Sequence, residues 1–138
     1  MKKSAGFYMT ILSALAGMIA LVTYMVNCRT AYFAGLGVSP VVVGCLVIAV
    51  ALQVAYLIMT KNGHKMWIDI LAVIPPVLLI EAVVTLIGGR VNSFAAIMSF
   101  ENNARNMADM TSAIVAIATC VIAILISILA SFFDTVKE

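Results

Sequence analysis

Residues 40–59 read PVVVGCLVIAVALQVAYLIM, twenty positions without a charge and with Gln53 as the only amide side chain. As a helix, such a stretch rises about 30 Å, which matches the hydrocarbon core of a bilayer. Three further apolar stretches of similar length flank it, at residues 7–26, 67–87 and 110–132. Hydrophobic residues make up 64% of the 138, and the mean hydropathy of +1.18 excludes a soluble domain of this size. The fold class is therefore all-α: an integral membrane bundle of four transmembrane helices, forming one domain over residues 1–138.

Outside these stretches lie a six-residue head, two short connectors, a longer connector over residues 88–109 and a short tail. That remainder has no room for a soluble domain. A net charge of +2 with scattered basic residues does not make a nucleic-acid surface. Lys2 and Lys3 ahead of an apolar run would also suit a secretory signal, but the apolar region of such signals is about 7–15 residues. Bulky Tyr32 also stands where a small residue would be wanted before Ala34. The first stretch is expected to be a retained span.

Charge sets the expected orientation. The head, the second connector and the tail share one side and carry Lys2, Lys3, Lys61, Lys65 and Lys137, with His64. Arg29, Arg90 and Arg105 fall on the other side. Five cations against three place both termini in the cytoplasm. Lysines suit anionic headgroups as snorkelling point charges, whereas arginines suit fixed, forked contacts, which hints at an ordered outer surface. Gly35, Gly37 and Ser39-Pro40 open the second span, and Asn62-Gly63 marks a turn between neighbouring antiparallel spans. Tyr8, Tyr24, Tyr56 and Trp67 sit near span ends, as an aromatic belt would place them. Asp109 is the expected N-cap of the last span.

The outer connector is long for a bundle, and loops beyond about 12–15 residues usually have internal structure or a task. With Asn92 or Ser93 as a cap, a short amphipathic helix is expected between spans 3 and 4, within residues 92–105. Phe94, Ile97 and Met98 would turn toward the bundle or the membrane, with Glu101 continuing the same face. Either the segment lies on the membrane surface, or Glu101, Asn102, Asn103, Arg105 and Asn106 form a docking surface for an outer partner.

Inside the spans, Glu81 stands near the middle of the third, where an ionisable group by default suggests function. Pro75-Pro76, about one turn toward the cytoplasm, removes two backbone donors and predicts a kink. Freed carbonyls and a carboxylate together suit an ion or substrate site made of Glu81, Pro75, Pro76, Thr85 and Gln53. The competing reading is structural: Thr85, Gln53 or an arginine from another span satisfies Glu81. Arg90 is nine residues away on the opposite helix face. A third reading turns Glu81 toward an oligomer interface. Ser13 with Gly17, and Ala123 with Ser127 and Ser131, form small-residue rows suited to close helix approach.

Catalytic chemistry finds no support. His64 is a lone histidine in a turn, and Cys28, Cys45 and Cys120 form neither a redox pair nor a zinc motif. No phosphate loop, nucleophile elbow or carboxylate pair is present, and no cofactor or metal is expected. The four-span outline is similar to small multidrug transporters, but those carry their essential Glu in the first span, and here that span has none. The chain also lacks fluoride-channel motifs. The run Phe100-Glu101-Asn102-Asn103-Ala104-Arg105-Asn106-Met107-Ala108-Asp109 resembles uncharacterised small four-span proteins of Gram-positive bacteria, which implies a location and no activity. The expectation is a non-catalytic protein of the bacterial cytoplasmic membrane, an accessory or scaffold for another membrane protein or for itself. The alternative is a small oligomeric transporter or channel using Glu81.

Overall fold

The computed structural model describes residues 5–60, 68–100 and 102–132, with Leu36 and Asp69 as backbone only. Four helices dominate: α1 (Ala5–Cys28), α2 (Pro40–Thr60), α3 (Ile68–Ser99) and α4 (Ala104–Ser131). Each is long and apolar enough to cross a membrane, and no strand occurs among the described residues. Between α1 and α2 the chain tightens: the Arg29 and Thr30 amides donate three residues back, to Val26 and Asn27. A 3-10 turn follows at Ala34–Leu36, closed by the Gly37 amide on the Ala34 carbonyl. Gly37 then adopts φ +74°, open to glycine without a Cβ clash. Ser39 accepts from the Val42 amide at 3.5 Å, and Pro40 begins α2 as expected. Lys2, Lys3, Lys61, Asn62, Gly63, His64, Lys65, Trp67, Glu101 and Lys137 lie outside the described residues.

The short outer helix expected within residues 92–105 is not a separate element. Its first part is the end of α3, which runs 32 residues through Gly88 and Gly89 to Ser99. Its last residues belong to α4, capped by Asn103 and not by Asp109. Asn103 Oδ1 accepts from the Asn106 amide at 2.8 Å. The physical reason lies in what the extra turns bury. Two helical glycines cost up to about 1 kcal/mol each relative to alanine. Ile97 is completely buried and packs with Phe33, Met110 and Ala113, with Phe94 half-buried against them. Full burial of a large apolar side chain is worth about 1.5–3 kcal/mol, so continuing the helix wins. Phe94 and Ile97 thus face the bundle as expected, while Met98 is exposed.

The helices pack in a ring, α1 on α2 and α4, and α3 on α2 and α4. Small residues line the seams. Ser13, Gly17 and Ala20 are buried on α1, and a Cβ on Gly17 would come within 2.9 Å of Val50 Cγ2 on α2. Ala116, Cys120, Ala123 and Ser127 form the matching row on α4. Both small-residue rows therefore join helices of one chain, apart from Ser131, which is exposed. Thr23 and Thr119 share a hydrogen bond of 3.0 Å between α1 and α4. The opposite faces carry exposed Leu, Ile and Val all around the bundle, as a lipid-facing surface requires. Two tyrosines depart from the expected belt: Tyr24 and Tyr56 are buried, while Tyr8 is exposed. The three cysteines are free.

Candidate functional site

The residues singled out around Glu81 divide into two separate places. Leu79, Ala82, Val83 and Leu86 fill the interior side of α3. At 100° per residue that arrangement turns Val77, Glu81 and Val84 outward, and all three are exposed. Among the described residues the hydrogen-bond partner of Glu81 is Thr85, whose hydroxyl donates to Oε1 at 3.2 Å one turn along the helix. Cys45 of α2 lies within electrostatic reach. Neither Gln53 nor an arginine joins it. The carboxylate is thus presented on the apolar outer face of α3 with most of its acceptor capacity unused.

Gln53 belongs to the second place, closer to the end where α1 begins and α4 finishes. Its Nε2 donates to Ser13 of α1 at 2.6 Å and to Ser127 of α4 at 3.2 Å. The side chain is 4% exposed. Beside it lies a cavity of about 10 Å³, measured to the centre of a water-sized sphere, which all four helices line. Pro75 and Pro76 are buried, and α3 remains helical through them. Having no N–H, they leave the carbonyls of Leu71 and Ala72 without their helical donors. Leu71 and Ala72 both line this cavity. The prolines therefore act on the Gln53 cavity and not on Glu81.

A third polar cluster lies at the far end, where α1 finishes and α4 begins, and sequence reasoning did not single it out. Arg90, counted above among surface cations, is 5% exposed. Its Nε donates to Asn27 Oδ1 at 3.0 Å, and its Nη2 reaches Cys28 Sγ at 3.5 Å. The guanidinium carbon stands 4.7 Å from the Phe33 ring centroid and 5.9 Å from that of Tyr24. Asn27 passes the connection onward, donating to Ser112 Oγ at 2.9 Å and to the Asp109 carbonyl at 3.4 Å. The Asp109 carboxylate accepts from the Tyr32 amide, and the Tyr24 hydroxyl accepts from the Ser39 amide. One buried cation thus holds α1, α3, α4 and the α1–α2 connection together. Placing residues 88–109 in a connector beyond the third span hid this role.

Of the expected docking residues, the four that are described gather at the turn from α3 to α4. Asn102, Asn103 and Arg105 are exposed, and Asn106 is half-buried beside its cap. Phe100 beside them is 90% exposed, which makes this turn both polar and apolar at its surface. Comparison with known protein families, curated proteins and solved structures finds no match. Among the described residues no group of three or more metal-ligating side chains occurs. The chemistry available is hydrogen bonding and cation recognition by Glu81, contained polarity at Gln53, and rigid clamping at Arg90.

Proposed function

We propose that this chain is a non-catalytic subunit of the bacterial cytoplasmic membrane, with both termini in the cytoplasm, that holds a transmembrane helix of another membrane protein. The observation that carries this reading is the exposure of Glu81 on the outer face of α3. An ionisable group at the bilayer centre costs at least about 2.5–3.5 kcal/mol unless it meets a partner or water. Thr85 supplies one donor. A helix that brings a cation or a hydrogen-bond donor to the same depth would relieve the rest, which makes the face a specific seat. Gly88 and Gly89 on the same helix have open space above them, so a partner backbone can come close. In this reading the exposed far-end residues Asn102, Asn103 and Arg105 would add contacts outside.

Photo-crosslinking amino acids at Val77 and Val84 test this in native membranes. Both are expected to give the same protein adduct, weakened by Glu81→Ala, while a probe at buried Leu79 gives none. Lipid adducts alone at all three positions would refute the reading.

The same exposure supports one second reading, an oligomeric transporter. Among the described residues the cavity that all four helices line holds about one water, and Glu81 lies outside it, so a route using Glu81 would run between copies. Cation flux in liposomes that is abolished by Glu81→Gln would select this reading over the first.

A further inference from the structure

We propose that the cavity beside Gln53 is a built site for one ordered water molecule, which repairs the backbone that Pro75 and Pro76 interrupt. The volume decides the size of the occupant: about 10 Å³ for the centre of a water-sized sphere suits one molecule and no more. The chemistry of the wall decides its kind. Gln53 spends both amide hydrogens on Ser13 and Ser127. Among the described residues nothing donates to its Oε1. No buried polar side-chain atom there is sealed off without a partner, so this oxygen opens onto the cavity. Thr10 commits its hydroxyl hydrogen to the Gly6 carbonyl at 2.8 Å, which leaves oxygen lone pairs facing the site. Leu71 and Ala72, whose carbonyls the prolines leave without helical donors, also line the cavity.

The wall therefore offers several acceptors, beside the hydroxyls of Tyr56, Ser127 and Ser131, of which Ser131 donates to the Ile128 carbonyl. Water answers the acceptors with two hydrogens, and Ser127, whose oxygen already accepts from Gln53, has its own O–H left to donate to the water oxygen. A small cation would also meet acceptors, but no carboxylate is among the described lining residues, and an ion stripped of its hydration in this setting lacks a counter-charge. In a membrane, a proline-interrupted helix commonly recovers its freed carbonyls through ordered water. Here the water would also tie α3 to α2 and α4, which no direct hydrogen bond among the described residues does at this level.

The test uses the full chain in detergent micelles or nanodiscs, with nuclear Overhauser transfer from water to the Gln53 side-chain amide. A long-lived water is expected to give a cross-peak in the unaltered protein. The Ala72→Leu variant fills the space and is expected to lose it. The double variant Pro75→Ala/Pro76→Ala restores both helical donors and is expected to weaken or remove it while the protein stays folded. Absence of the cross-peak in the unaltered protein, or its persistence in folded Ala72→Leu, would overturn the proposal. So would a thermal midpoint that rises in sodium chloride over choline chloride at equal ionic strength and loses that rise in Ala72→Leu, because the occupant would then be a cation.

Discussion

At the scale of single residues, Arg90 carries the most structure per side chain. Its guanidinium lies between the Phe33 ring, Asn27 and Cys28, and Asn27 hands the connection to α4. Hydrogen bonds to a buried charge are worth about 1.5–3 kcal/mol, and a desolvated cation–π contact about 2. Arg90→Ala is expected to lower stability by roughly 2–4 kcal/mol, read as the denaturant midpoint in micelles, because it also strands the Asn27 oxygen. Arg90→Lys is expected to recover little of this, since an ammonium cannot hold Asn27 and stack on Phe33 together. Equal stability of Arg90→Lys and the unaltered protein would show that charge alone suffices. Sequence revealed Glu81 by its type but not its direction, because every face of a lipid-embedded helix is apolar and the pattern has no polar side to read. Thr85 as its partner was legible from the one-turn spacing. Gln53 was not separable from Glu81, because Ser13 and Ser127, which claim it, lie 40 and 74 residues away.

At the scale of helices, the glycines of this chain do opposite things. On α1, Gly17 lets α2 approach, since a Cβ there would meet Val50 Cγ2 at 2.9 Å. On α3, Gly88 and Gly89 are helical, exposed and face open space. Gly→Ala at such open helical positions stabilises by about 0.4–1 kcal/mol, chiefly by restricting the unfolded chain. Gly88→Ala and Gly89→Ala are each expected to raise the thermal midpoint, whereas Gly17→Ala should lower it unless Val50 turns aside. A fall with Gly88→Ala in purified monomer would mean that this face is packed. The span positions were legible because length and hydropathy are local properties. The extent of α3 was not: the pair of glycines reads locally as a stop, and only Phe33, Met110 and Ala113, brought in from elsewhere in the chain, reward continuing past it.

At the scale of the whole molecule, the bundle is uneven in height. A rise of 1.5 Å per residue gives α2, with 21 residues, about 32 Å, which fits the hydrocarbon core. The 32 residues of α3 reach about 48 Å, and the 28 of α4 about 42 Å. Tilt absorbs part of that excess, but the small core of Phe33, Ile97, Met110 and Ala113 lies at the far end, where both long helices meet the α1–α2 connection. The α3–α4 hairpin is therefore expected to stand clear of the lipid with Asn102 at its tip. With the termini in the cytoplasm, as proposed above from the lysine distribution, that tip should face outward. After Cys28, Cys45 and Cys120 are replaced by alanine, a membrane-impermeant maleimide applied to intact cells is expected to label Asn102→Cys and Ser99→Cys. Val84→Cys, at mid-helix, is expected to stay unlabelled in the same cells. Labelling of Asn102→Cys only after the cells are opened would reverse the orientation, and labelling from neither side would mean that the hairpin lies down in the headgroups.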